Sequence, residues 1–326
     1  MPDPTSRVEL GRTGLRVTRL GLGTAPLGGL YAPVPDSEAQ ALVERAWAAG
    51  LRFFDTAPLY GDGLAERRVG SVLRDRPRAD LVLATKVGRL IRPGAPPEPG
   101  QVSEGAPELG PVFDFSEEGA LTSLAESLDR LGMERVDVLH IHDPDDHHDQ
   151  AVAGAYRALD RLRADGRIAG VGAGMNQAAM LARFAREARF DCFLLAGRFT
   201  LLDQSGLDEL LPLCLEEGIA VIAGGAFNSG ILADPRPGAH YNYRPAAPEL
   251  VERAQRLSAL CERHGVPMAA AAIQFPLRHP AVATVVVGAR SVAELEEDMR
   301  LFAWDVPDAL WADLRRAGVR DPASPE

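Results

Sequence analysis

Lysine is nearly missing from this chain: Lys86 stands alone against 34 arginines in 326 residues. An arginine-biased composition replaces lysine wherever a positive charge on a long stem is enough. The survivor is therefore either a chance remnant or a position where arginine fails. Lysine offers a compact ammonium that tunes a neighbour's proton affinity, whereas guanidinium is broad, flat and permanently charged. Leu81-Val82-Leu83-Ala84-Thr85-Lys86 reads as a short buried strand ending on that charge, and the C-terminal ends of strands are where parallel barrels keep their chemistry.

Other shortages exclude whole classes. Cysteine is scarce, and Cys192, Cys214 and Cys261 show neither CxxC spacing nor an even framework. They read as reduced core residues rather than as a disulfide or zinc scaffold. Basic excess is absent: a net charge of -11 and a pI near 5.2 argue against nucleic-acid and anionic-membrane partners. No run approaches the roughly 20 apolar residues of a membrane span. Met1-Pro2-Asp3-Pro4-Thr5-Ser6 carries no charged stretch leading into an apolar one, so a cytoplasmic location is expected. There is no Gly-x-Gly-x-x-Gly, which leaves a Rossmann nucleotide site unsupported.

What is present is a rhythm. Apolar runs at 17–21, 52–54, 81–85, 136–141, 168–171, 192–195, 220–223 and 284–287 alternate with helical patterns at 37–49, 119–131, 151–164, 177–188, 207–217, 248–264 and 291–300. A further apolar helix fits 267–277. Such alternation signals βα units, and eight of them predict an α/β fold, a closed (β/α)8 TIM barrel, as one domain over 1–326. Two segments break the rhythm, 89–118 and 233–247. Both follow a barrel strand and carry aromatics, Phe113 in the first and Tyr241 and Tyr243 in the second. They read as substrate lids on the C-terminal face or as disordered loops.

After the second strand comes Phe54-Asp55-Thr56-Ala57-Pro58-Leu59-Tyr60-Gly61, so an acid, a phenol and the lone lysine fall at adjacent strand ends. A phenol titrates near 10, too high for acid/base work at neutral pH, and a nearby ammonium favours its phenolate. Asp55 would hold Lys86 charged. The fourth strand ends His140-Ile141-His142-Asp143-Pro144, with both histidines on one face. Either they form a metal pair, or His142 is a neutral hydrogen-bond donor and His140 a packed interior residue. The other histidines (147, 148, 240, 264 and 279) lie in helical or loop contexts, and no metal is assigned. Beyond the last strand, Gly288-Ala289-Arg290-Ser291 runs into Glu294. That is a capping-box pattern, either a plain helix start or a phosphate site of the kind barrels place after strands seven and eight.

Asp55, Tyr60, Lys86 and His142, in that order on strands two, three and four, resemble the catalytic tetrad of the aldo-keto reductases. The resemblance spans nearly the whole chain, from Leu10-Gly11-Arg12-Thr13-Gly14-Leu15 and Gly21-Leu22-Gly23-Thr24 to the Gly288-Ala289-Arg290 loop. It implies a barrel that binds an extended nicotinamide dinucleotide without a Rossmann domain. The chain departs from the common pattern after strands five, six and seven, where it has Gly174-Met175-Asn176, Ala196-Gly197-Arg198 and Gly224. Those positions usually clamp the nicotinamide, so the resemblance implies a rebuilt clamp from Asn176, Arg198 and Phe227. It also implies cofactor contacts at Gly23, Thr24, Asn228, Ser229, Gly230, Gly288, Ala289, Arg290, Glu294 and Asp298. Members that prefer NADP usually offer a lysine and an arginine near the last helix. Here Gly288 and Glu294 stand there, so the cofactor is NAD or NADP with NAD favoured.

These segments look like the branch that holds L-fucose and D-threo-aldose 1-dehydrogenases, L-galactose dehydrogenase and pyridoxal 4-dehydrogenase. The implied activity is hydride transfer between a nicotinamide and C1 of a small polar substrate, foremost oxidation of a free aldose to its lactone. Aldehyde reduction and pyridoxal oxidation use the same parts. Two rivals differ in class: a cofactor-binding subunit without turnover, and a metal-dependent barrel hydrolase, which a chelator would inactivate. Nothing in the sequence sets the oligomeric state.

Overall fold

A computed structural model describes residues 2–30, 32–96 and 109–322. Eight parallel strands close into a barrel in chain order: β1 (Leu20–Gly23), β2 (Phe53–Asp55), β3 (Val82–Val87), β4 (Val138–His142), β5 (Gly170–Met175), β6 (Cys192–Ala196), β7 (Ala220–Gly224) and β8 (Val282–Val287). Both faces of each strand are covered, which is why the runs are continuously apolar rather than alternating. Phe53, Val82, Ala84, Val138, Cys192, Leu194, Ile222 and Val286 meet inside the barrel. Phe54, Leu83, Leu139, Phe193 and Val221 belong to a larger outer core beneath the helices.

The main helices among the described residues are α1 (Asp36–Ala48), α2 (Leu64–Leu73), α3 (Glu117–Leu131), α4 (Arg157–Ala164, continuing a π-helix over Ala151–Tyr156), α5 (Ala178–Glu187), α6 (Leu210–Glu217), α7 (Pro248–Arg263), α8 (Met268–Gln274), α9 (Val292–Phe302) and α10 (Asp308–Arg316). No helix among the described residues is long and apolar enough to cross a membrane.

The sequence pattern misreads three places in and beside the barrel, and it leaves the helix at Asp308–Arg316 unassigned. The run 17–21 is two elements: Arg16–Thr18 pairs antiparallel with Arg7–Glu9, and the barrel strand starts only at Leu20. Val17 looks like a barrel residue because, with Leu10, it packs into the barrel's interior cluster. Helix α2 shows no clean amphipathic stripe because charged side chains are buried in it. Glu66 accepts from Thr85 Oγ1 at 2.7 Å and from Arg130 Nε at 2.5 Å. Arg68 donates to Val34 O and Asp36. The fifth strand runs to Met175 rather than stopping at Val171, since its glycines look like a turn.

Two hairpins rise outside the barrel. Arg89–Pro93 pairs with Leu109–Phe113 after β3; the centre of that predicted lid, 97–108, lies outside the described residues. After β7, His240–Tyr241 pairs with Arg244–Pro245. Its tip, Asn242 and Tyr243, has φ of 49° and 62°, the left-handed pair that a two-residue turn requires.

Candidate active site

Strand alternation builds the centre. Phe53 and Asp55, Val82, Ala84 and Lys86, and Val138, His140 and His142 occupy alternate positions on three neighbouring strands, so the polar member of each series ends up at the C-terminal rim. Lys86 Nζ lies 2.7 Å from Asp55 Oδ2, 2.9 Å from Thr56 O and 3.1 Å from Tyr60 Oη. An ammonium has three protons, and these acceptors take all three. The lysine is 1 % exposed.

Tyr60 is not on a strand. It sits in the turn after β2, where Gly28 packs so tightly that a Cβ there would lie 2.4 Å from the Tyr60 carbonyl carbon. The close approach of the loop after β1 therefore fixes the phenol over Lys86. The rings of Tyr60 and His142 meet edge to face with centroids 5.9 Å apart, and His142 Nε2 lies 3.6 Å from Asp143 Oδ2.

Electrostatics assign protonation states. Burial alone would lower Lys86, but Asp55, Tyr60 and the hydrogen bonds to both hold it above its ordinary value. Burial pushes Asp55 up while Lys86 pulls it back, and the 2.7 Å contact favours the ion pair. For Tyr60, burial outweighs the pull of Lys86 and leaves the phenol raised. Lys86 is the neighbour that favours the phenolate, as the sequence predicts, but burial sets the net sign, and the resting phenol is neutral. His142 lies well below the ordinary imidazole value through burial, Arg89, Lys86 and His140. His140, fully buried beside Lys86, falls to about 3. Both histidines are neutral. Among the described residues no group of three His, Cys, Asp or Glu side chains is arranged to hold a metal.

Tyr60, Lys86 and His142 open onto a cavity of about 540 Å³, also lined by Arg89, Asp143, Asn176, Leu194 and Arg244. A second cleft of about 470 Å³ adjoins it, lined by Phe227, Asn228, Ser229, Gly230, Gly288, Arg290 and Glu294. Ala25, Leu30, Asn176, Ala196, His240, Asn242 and Tyr243 belong to both.

The remaining candidates divide. Asn176 stands at the junction with its Nδ2 donating to Ala196 O at 3.1 Å. Arg198 lines neither cavity; it donates to Asn242 Oδ1 at 2.9 Å and so holds the tip of the second lid. Gly23, Thr24, Ala289 and Asp298 also lie off the cavity walls. Thr24 Oγ1 donates to Asp55 O, and Asp298 is raised to about 7 by burial, Glu294 and Glu297. Ser291 caps α9 by accepting from Glu294 N, yet Glu294 accepts from Arg290 N rather than closing the box on Ser291. Of the lid aromatics, Tyr243 lines both cavities. Tyr241 donates to Asp203. Phe113 stacks on Phe115 and His147 beneath Arg89. Sequence reasoning missed Arg89, Asp143 and Arg244; for the first two the signal was their spacing, three residues after Lys86 and one after His142.

The profile of the Aldo/keto reductase family matches residues 19–318. The chain is 44 % identical over 331 aligned positions to pyridoxal 4-dehydrogenase of Microbacterium luteolum, covering 95 % of this chain and 96 % of that one. It is 42 % identical to D-threo-aldose 1-dehydrogenase of a Pseudomonas species, covering 93 % and 95 %. Among solved structures, an aldo-keto reductase from Bacillus halodurans superposes with a TM-score of 0.75 at 25 % identity, over 98 % of this chain and 97 % of that one.

Proposed function

The chain belongs to the aldo/keto reductase family, as an NAD(P)-dependent oxidoreductase, and we propose that it oxidises C1 of a free aldose, of the L-fucose, L-galactose or D-threo type, to the lactone. The observation that carries this reading is the buried Asp55–Lys86–Tyr60 chain opening, with His142, onto a cavity that Arg89, Asp143, Asn176 and Arg244 also line, beside a second cleft. In oxidation Tyr60 Oη takes the proton of the C1 hydroxyl, and Lys86 stabilises the phenolate that must form first. Neutral His142 donates to the same oxygen and orients it. Asp55 keeps Lys86 charged and in place. Run in reverse, the neutral phenol donates its proton to a carbonyl oxygen.

The second cleft suits a dinucleotide. Gly288 packs its wall against Pro26, where a Cβ would lie 2.8 Å from Pro26 Cγ, Phe227 lines the cleft, and Asn176 stands at the junction with the first cavity. A bound nicotinamide supplies the hydride acceptor in oxidation and the donor in reduction. We favour NAD. Arg290, the cation on that wall, pairs with Glu294 at 3.0 Å, so the extra phosphate of NADP would meet a neutralised arginine and a carboxylate. The net charge of -11 suits small-molecule partners over nucleic acid or membrane, and three buried free cysteines suit the cytoplasm.

Aldoses, pyridoxal and simple aldehydes assayed with each cofactor by nicotinamide absorbance test the proposal. Highest kcat/KM for an aldose supports it. A preference for pyridoxal by tenfold or more, on the order of one strong polar contact, would replace the aldose reading with a pyridoxal dehydrogenase that uses the same parts.

A further inference from the structure

One charged pair on the cavity wall neither gives nor takes the proton that Tyr60 moves. Arg89 Nη2 lies 2.8 Å from Asp143 Oδ2, and both residues line the cavity that holds Tyr60 and His142. Arg89 is buried, with its guanidinium 5.1 Å from the centre of the Phe113 ring. Asp143 keeps a quarter of its side chain exposed. Its backbone is unusual. Asp143 has a φ of 39°, a left-handed conformation that a residue with a side chain holds only where its surroundings fix it. Its N–H donates to Gly174 O at 3.0 Å, and Pro144 on its other side already narrows its choices. The strained turn brings the carboxylate back over the rim, 3.6 Å from His142 Nε2.

We propose that Arg89 and Asp143 together read two adjacent hydroxyls of the sugar, those on C2 and C3, and so set specificity for a neutral polyhydroxy substrate; this rests on the aldose reading above. A hydroxyl both donates and accepts. One accepts from the guanidinium while its neighbour donates to the carboxylate, and neighbouring ring hydroxyls stand about one hydrogen-bond length apart, as do the two side chains. Because His142 orients the C1 oxygen and Asp143 follows it on the same rim, the pair falls beside the ring carbons next to C1. An anionic substrate would gain the guanidinium only by facing the carboxylate. A simple aldehyde would cover both charges without bonding either, and a site built for hydroxyls rejects such analogues strongly.

The test compares kcat/KM for the best aldose with that for its 2-deoxy and 3-deoxy analogues, in the wild-type enzyme and in Arg89→Met and Asp143→Asn. Wild type should prefer the parent sugar by roughly 10- to 100-fold, the range of a hydrogen bond to a charged group. Each variant should compress that ratio to within about threefold. The proposal is overturned if both variants keep the wild-type ratio while losing activity on all three sugars alike, because the pair then only supports His142. It is also overturned, without any variant having to fold, if wild type uses the deoxy sugars as well as the parent. If no aldose is turned over, the aldose reading falls and this inference with it. If aldoses are turned over and the ratio does not move, this inference alone falls.

Discussion

Gly172 faces His140 so closely that a Cβ on the glycine would lie 2.3 Å from His140 Nδ1 and 2.7 Å from the carbonyl of Cys192. Two residues along the same strand, a Cβ on Gly174 would touch Lys86 Cε at 3.6 Å. Strand β5 thus contributes to the site through glycines at the alternate positions 170, 172 and 174 that face its neighbours. The space it leaves holds a neutral buried histidine and lets the lysine stem run to Asp55.

Gly172→Ala should therefore destabilise the fold and disturb the site together. A backbone oxygen cannot move aside as a flexible side chain can, so overpacking of about 1–3 kcal/mol is expected. His140 would be driven toward Lys86. Thermal unfolding should shift down, and kcat should fall in the protein that remains folded; a variant with wild-type Tm and kcat would show that the gap has no such role.

The pH profile follows from the shifted groups. Oxidation needs the phenolate of Tyr60, whose pKa is raised, so kcat/KM for oxidation should climb with pH through the neutral and alkaline range. His142 is held far below the ordinary imidazole value, so no inflection should appear near pH 6.5. Lys86→Arg should lower the rate severely and displace what remains to higher pH, because a flat guanidinium cannot meet all three acceptors around Nζ. A plateau at neutral pH, or an arginine variant with the wild-type profile, would contradict this.

His140 predicts the acid limit of stability. Its pKa in the folded protein is about 3, below the ordinary value near 6.5. The unfolded chain therefore binds a proton between those values that the folded chain does not. The contribution is fully present above about pH 6.5 and is lost as pH falls toward 3. His140→Phe, if it folds, should shift the acid-unfolding midpoint downward, and an unchanged midpoint would mean that the ring takes up its proton without cost.

Cofactor choice should turn on one ion pair. Glu294→Gln releases Arg290 from its 3.0 Å partner and should improve kcat/KM for NADP several-fold, on the order of an exposed charge contact, with little change for NAD. Arg290→Ala should remove that gain. A wild-type preference for NADP would mean that Arg290 acts despite Glu294.

Much of this site was legible before the fold was. Asp55, Lys86 and His142 each end an apolar run, and a closed parallel barrel brings strand ends to one rim. What stayed hidden depended on packing. The helix 64–73 was obscured because Glu66 and Arg68 are buried and satisfied by distant partners. The full fifth strand was obscured because its glycines serve the neighbours' side chains rather than a turn. The resemblance implies a clamp role for Arg198, whereas its guanidinium bonds Asn242 in the second hairpin, a contact that only the folded hairpin reveals. Net proton affinity was out of reach as well, since the balance between Lys86 and burial at Tyr60 requires the depth of the phenol.

The most direct test of the account is the turnover of Tyr60→Phe, which keeps the ring over Lys86 and removes only the oxygen 3.1 Å from Nζ. Aldose oxidation should fall by about 100-fold or more, the usual effect of losing a general acid/base, while cofactor affinity measured on the same preparation stays close to wild type. Wild-type turnover in that variant would contradict the proton-transfer role of Tyr60 and, with it, the reading of the whole site.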